Sequence, residues 1–192
     1  ILLFCSMGGY AFAMFEFRYK KALFALVMGT MLLPSFMNMI PSFMIMDMLG
    51  WIDQPRALYI PGAASAFGIF LMRQFFRTVP DDLIHAARLD GMGELEIVWR
   101  VMLPTAMPAL LAFSIFSVVW HWNDYFWPLL VINSPHLATP PLGTMFFRNE
   151  EAGSAFGPLM AGTVLITAPL VLLFVVAQKR FIEGVTLTGV KG

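Results

Sequence analysis

Charge is scarce in this chain: Asp, Glu, Lys and Arg together make up 12% of its 192 residues. A water-soluble domain carries about 25%, so a soluble monomer, and with it an ordinary soluble enzyme, is excluded. A basic excess is missing too. Twelve basic residues balance twelve acidic ones, which removes the electrostatic footprint of a nucleic-acid binder. Cys5 is the single cysteine, which rules out an intramolecular disulfide and a cysteine-based zinc cluster. The three histidines, His85, His121 and His136, are far apart and show no HExxH spacing. What remains is apolar: 59% of the residues are hydrophobic, and the chain is a membrane protein of the all-α class.

A helix needs about 20 mostly apolar residues to cross the hydrocarbon layer. Four stretches qualify: Ala22 to Met46, Ala57 to Phe76, Thr105 to Ile132, and Pro158 to Gln178. Ile1 to Phe15 is apolar but shorter, has no charged face, and lacks the basic lead-in of a signal peptide. It reads as the end of a fifth span whose beginning is missing. The connecting stretches alternate sides. One set holds Arg18, Lys20, Lys21, Arg73, Arg77, Arg88, Arg100, Lys179, Arg180 and Lys191; the other holds Arg56 and Arg148. Ten against two is a strong positive-inside bias, which puts the first set and the C-terminal tail in the cytoplasm. Gly62, Ala63, Ala64, Ser65, Ala66 and Gly68 would let the second of these spans approach a neighbour closely. Pro34 and Pro41 lie seven residues apart and place two kinks on one face of the preceding span, as pathway lining or as packing irregularities.

The cytoplasmic stretch 78–104 has the pattern of two short helices. Thr78-Val79-Pro80-Asp81 reads as a helix start, with Thr78 as cap and Pro80 in the first turn. Leu83, Ala86, Ala87 and Asp90 follow at helical spacing, and Gly91-Met92-Gly93 breaks the run. A second helix reads from Glu94, with Leu95, Val98, Trp99 and Met102 on one face, and stops near Leu103-Pro104. Such a knob fits a protein cleft or the lipid headgroups equally well by pattern.

His85-Ala86-Ala87, three residues, Gly91, nine residues, then Val101-Met102-Leu103-Pro104 resembles the coupling (EAA) motif of the permeases of binding-protein-dependent ATP-binding-cassette importers. That motif reads Glu-Ala-Ala, three residues, Gly, nine residues, Ile, any residue, Leu-Pro. The runs Phe70 to Phe76, Arg88-Leu89-Asp90-Gly91, Trp122 to Leu129, and Phe181-Ile182-Glu183-Gly184 through Gly189-Val190-Lys191-Gly192 are similar to the carbohydrate branch, of maltose and glycerol-phosphate type. The resemblance covers essentially the whole chain. It implies a single permease domain over residues 1–192, of about five of the family's six spans, with residues 78–104 as the coupling loop within it.

The same resemblance implies a division of labour. A separate ATPase subunit would bind ATP and Mg and receive the loop through Asp81, His85, Ala86, Ala87, Arg88, Asp90, Gly91, Leu103 and Pro104. A second permease subunit, an extracytoplasmic solute-binding protein and a sugar substrate complete the expected partners, in the cytoplasmic (inner) membrane of a bacterium or archaeon. No cofactor is expected in this chain, which has no GxxxxGK[ST] phosphate loop. His85 departs from the motif's Glu. Asp81, Asp82 or Glu94 then supplies the polar contact, or the partner compensates.

Thr105 to Ile132 carries polar residues that are costly in hydrocarbon. At 100° per residue, Ser114, Ser117, His121 and Asp124 fall on one helical face, with Tyr125 beside them and Trp120, Asn123 and Trp127 adjoining. Hydroxyl-binding amides and carboxylates next to flat aromatic faces suit a sugar. Ser117, Trp120, His121, Trp122, Asn123, Asp124 and Tyr125 are therefore the substrate-pathway candidates, with an outer-interface aromatic belt as the bland reading. Asn133 to Gly157, with Arg148 and Glu150, is the external loop expected to face the binding protein. Two rivals remain: a proton-coupled secondary transporter with His121 and Asp124 as relay, and an intramembrane enzyme using the same pair with Ser114, Ser117 or Tyr125 as the nearby hydroxyl.

Overall fold

The computed structural model describes residues 1–147 and 156–189. Arg148, Glu150 and Gly153 of the external loop, and Val190, Lys191 and Gly192 of the tail, lie outside the described residues. The helices are α1 (Leu2–Met14), α2 (Lys20–Thr30), α3 (Ser35–Met48), α4 (Pro55–Tyr59), α5 (Ala66–Phe76), α6 (Asp81–Leu89), α7 (Glu94–Ile97), α8 (Leu103–Thr105), α9 (Met107–Trp122), α10 (Phe126–Val131), α11 (Pro140–Gly143) and α12 (Phe156–Gly189). A π-helical turn, Val98–Met102, joins α7 to α8, and there is no strand among the described residues. The chain forms two compact units, Ile1–Ser35 with Gly62–Ser114, and Phe36–Pro61 with Ile115–Gly192.

In the first unit α1 packs along α5. A Cβ on Gly9 would come within 2.6 Å of Met72 Cβ and 2.9 Å of the Arg73 amide nitrogen, so only glycine permits this approach. On α5 the reciprocal position is Gly68, whose missing Cβ leaves room for Cys5 Sγ and the Phe113 ring. The sequence points instead to a longer small-residue surface. Gly62 to Ser65 turn out to precede α5, where the Ser65 hydroxyl caps the helix by accepting from the Gly68 amide at 3.0 Å. Below this contact Tyr10, Met72 and Phe76 join Ile84, Ala87, Ile97, Val98 and Met102 in one buried core, which fastens the 78–104 loop to the membrane helices.

In the second unit Met46, Ala57, Val131, Ile132 and Leu142 form a smaller core. Trp127 Nε1 donates to the Ala57 carbonyl at 2.8 Å. Asp53 sits in the left-handed region (φ 58°) and accepts from the Asn133 and Ser134 amides at 3.0 and 2.8 Å, and from the Ser134 hydroxyl. Those donors hold its carboxyl below the ordinary aspartate value, the Ser134 hydroxyl most of all. The clamp is therefore fully ionised at neutral pH, and its contribution fades as pH falls through the lowered value.

The expected spans are interrupted. Ala22 to Met46 breaks between α2 and α3 at residues 31–34, where Pro34 has no amide hydrogen and bars the preceding residue from helical geometry. Pro41 stays inside α3. Ala57 to Phe76 divides into α4 and α5 around Pro61-Gly62. Thr105 to Ile132 bends by 86° at Ala106, two residues before Pro108, and parts again at residues 123–125. By length and composition Phe156–Val175 can cross a membrane alone, and counting each bent pair of helices as one span raises the number to three. Leu2–Met14 and Ala66–Phe76 are shorter apolar helices. Large apolar side chains such as Leu26, Ile40 and Leu165 point outward, about 70% exposed, as lipid solvation requires.

Gly9→Ala forces α1 away from α5, and overpacking of this kind costs about 1–3 kcal/mol. The variant is expected to unfold at a lower temperature than wild type in the same detergent; an unchanged midpoint would contradict the close contact.

Candidate coupling loop and polar end of α9

The loop begins differently from its sequence pattern. Thr78 does not cap α6; its hydroxyl donates to the Phe75 carbonyl at 2.7 Å, closing the end of α5. Pro80 occupies the N-cap position of α6 and supplies no side-chain bond, while Asp81 and Asp82 occupy the first turn, where a negative charge favours the helix dipole. Gly91 takes φ 81°, a conformation that favours glycine. There the Gly91 amide donates to Arg88 O and the Met92 amide to Ala87 O, at 3.0 and 3.1 Å, closing α6.

Burial sorts the candidates. Ala87 is buried with Ile84, whereas Asp81, His85, Ala86, Arg88, Asp90 and Gly91 are exposed. Leu103 is half-buried and Pro104 exposed. The second helix buries Ile97, Val98 and Met102 and leaves Leu95 63% and Trp99 57% exposed. The α-helical period in the sequence places Leu95 and Trp99 on the buried face; the π-helical turn shifts the register and brings Ile97 and Met102, five apart, to the same side. The helix also continues past Leu103-Pro104 to Thr105.

A polar clasp ties the loop to α1. Arg88 Nε donates to Glu94 Oε1 at 2.9 Å, and Tyr10 Oη donates to Glu94 Oε2 at 2.5 Å. Arg88 and then Tyr10 hold the Glu94 carboxyl below its ordinary value of 4.5, against the opposing effect of burial. Glu94 is thus engaged internally. Asp81 and Asp82 form no ion pair among the described residues, so these two carboxylates are the ones left to face a partner near His85. The sequence points to Glu94 as one of three substitutes and passes over Tyr10, which lies 84 residues away; nothing local marks that pairing.

The polar cluster of α9 is arranged less continuously than its period implies. The helix ends at Trp122, so Asn123, Asp124 and Tyr125 stand in the connection to α10. Asp124 Oδ1 accepts from the Trp127 amide at 3.3 Å, in the manner of a cap. Tyr125 Oη donates to Met145 Sδ at 2.7 Å, and Asn123 Nδ2 donates to Val119 O at 2.8 Å. Trp122 Nε1 reaches the Ile166 carbonyl of α12 at 3.0 Å. His121 Nδ1 lies 2.7 Å from the Ser117 carbonyl and 3.5 Å from its hydroxyl. Trp120, His121 and Asn123 are exposed. No hydrogen bond joins the His121 and Asp124 side chains among the described residues, so the proton relay has no direct link, and no group of His, Cys, Asp and Glu able to hold a metal occurs among them.

Residues 6–186 match the family described as binding-protein-dependent transport system inner membrane component. The chain belongs to that family. The arabinooligosaccharides transport system permease protein AraQ of Halalkalibacterium halodurans is 36% identical over 191 residues, covering 100% of this chain and 68% of that protein. The lactose transport system permease protein LacG of Rhizobium radiobacter is 32% identical, covering 95% of this chain and 67% of that protein. The sn-glycerol-3-phosphate transport system permease protein UgpE of Yersinia enterocolitica is 31% identical, covering 93% and 64%. Among solved structures, a bacterial ABC transporter involved in the import of the acidic polysaccharide alginate superposes with a TM-score of 0.77 at 28% identity, covering 94% of this chain and 68% of that one. The helical membrane architecture and the permease role follow: this is an inner-membrane transport subunit of an ATP-driven importer, not an enzyme.

Within this permease the clasp sets the rigidity of the loop. Glu94→Gln and Tyr10→Phe each remove a hydrogen bond to a charged group, and amide exchange over residues 81–105 is expected to quicken about tenfold. The wild-type protection is present above the ordinary carboxyl range and is lost as pH falls through the lowered Glu94 value. Exchange unaltered in both variants would show the clasp to be idle.

Proposed function

We propose that this permease passes a carbohydrate-class solute across the membrane and that its 78–104 loop is the contact for a separate ATPase subunit, which binds ATP and Mg. One observation carries the docking assignment. The loop buries Ile84, Ala87, Ile97, Val98 and Met102 against Met72 and Phe76, while its outer side presents Leu83, His85, Ala86 and Leu89, the last 89% exposed. An outward apolar face beside two unpaired carboxylates suits a protein cleft, and family membership favours that occupant over lipid headgroups. The exposed methyl of Ala86 leaves room for a partner surface to approach α6 closely.

The solute class rests on two supports: the substrates named for the relatives, arabinooligosaccharides, lactose and glycerol 3-phosphate, and the exposed Trp120, His121 and Asn123 at the end of α9. Ser117, Trp122, Asp124 and Tyr125 then act by holding this end of the helix in place. The charge bias orients loop and tail toward the cytoplasm. A second permease subunit and an external solute-binding protein complete the assembly.

Ala86→Glu and Leu89→Glu alter exposed side chains, so the permease fold is retained. Each is expected to lower co-purification of the cognate ATPase at least about tenfold, since an unpaired charge is placed in a protein contact. Full capture by both variants would refute the docking role. A separate variant, Asn123→Ala, is expected to slow uptake while leaving ATPase capture intact.

A further inference from the structure

In the first unit a cavity of about 820 Å3 opens between α1, the connection after it, α2 and α5. Its wall carries four cations, Lys20, Lys21, Arg73 and Arg77, against two carboxylates, Glu16 and Asp81. One carboxylate is already taken: Lys20 Nζ lies 2.8 Å from Glu16 Oε1. Arg73 Nε donates to the Phe12 carbonyl at 3.1 Å, and its guanidinium carbon stands 4.0 Å from the Phe24 ring centroid. The two terminal nitrogens of Arg73 have no protein acceptor, and Lys21 and Arg77 form no ion pair, among the described residues. Three cations thus converge on one cavity with Asp81 as the only unpaired carboxylate in its wall. The remainder of that wall is apolar, with Met14, Phe17 and Phe24 prominent.

The geometry points to a binding site for an anionic phospholipid, its phosphate between Lys21, Arg73 and Arg77 and its first acyl carbons against Phe17 and Phe24. A free phosphate would use the cations but leave the aromatic wall and most of the volume unoccupied; a zwitterionic lipid would bring an ammonium group to a cavity with a cationic surplus. Basic pockets between membrane helices on the cytoplasmic side take anionic headgroups for these reasons, at about 1 kcal/mol per lysine or arginine. The leaflet follows from the charge bias used above; the binding itself does not depend on it. Val79 and Asp81 also line the cavity, so a seated lipid touches the root of the 78–104 loop.

The test uses the complete transporter purified in a neutral detergent and titrated with dioleoyl phosphatidylglycerol, dioleoyl phosphatidylcholine or inorganic phosphate, with bound lipid counted by native mass spectrometry. Wild type is expected to retain phosphatidylglycerol saturably and phosphatidylcholine not at all. The double variant Lys21→Gln/Arg77→Gln, which changes two exposed side chains with no protein partner, is expected to weaken phosphatidylglycerol binding roughly tenfold or more. Equal retention of the two lipids, or undiminished binding by the double variant, would overturn the site. Competition by inorganic phosphate at the same concentration would convert it to a free-anion site and also refute the lipid. Cross-linking of the cavity to the ATPase in place of lipid would assign it to that partner. ATPase capture by wild type and double variant alike separates this result from the docking assignment.

Discussion

The approach of α1 to α5 is the contact on which the first unit depends. At Gly9 two backbones come close enough that a single methyl group would strike Met72 Cβ and the Arg73 amide. Small residues at such crossings are how membrane helices gain dispersion contacts without a hydrophobic driving force between them. The crossing also fixes chemistry further along the chain. Tyr10 follows Gly9 directly, so its hydroxyl reaches Glu94, while Phe12, two residues later, offers its carbonyl to Arg73. The polar clasp of the loop and the basic wall of the cavity therefore hang on one helix pair.

Polar groups in both units are spent mainly on holding backbone breaks. Ser65 caps α5, Thr78 closes its far end, Asp124 receives the amide of Trp127, and Asp53 gathers the donors that follow α10. A membrane protein with interrupted helices has more unsatisfied amides and carbonyls than one with continuous spans, and hydrocarbon does not satisfy them. Side chains at the interruptions supply the missing partners. Asp124 has such a structural part to play whatever solute passes nearby.

Much of the architecture was legible because it is written in local pattern: helical class in the apolar runs, orientation in the distribution of lysine and arginine, and the loop in the spacing from His85 to Pro104. Three kinds of feature were not. Continuity of the spans failed where Pro34, Pro61 and Pro108 remove donors within runs whose hydropathy never falters. The buried face of the second loop helix failed because the period changes from 3.6 residues at Val98. The Tyr10 clasp and the Asp53 clamp failed because each joins residues about 80 positions apart, and one sequence carries no sign of such pairings. Asp124 was read as an extension of α9, and a helix end is among the features least marked by periodicity.

The π-helical turn has one more consequence. A spacing motif counts residues, whereas a helix counts turns, and the two tallies part company between Gly91 and Pro104. One residue is in effect inserted into an otherwise α-helical rod, so every side chain beyond it is displaced by about 100° from where an unbroken rod would carry it. Removing a single residue from Val98–Met102 would therefore leave the composition of the loop nearly intact and turn Leu103, Pro104 and the start of α9 about its axis. The loop is tolerant of substitution along this segment but not of a change in its length.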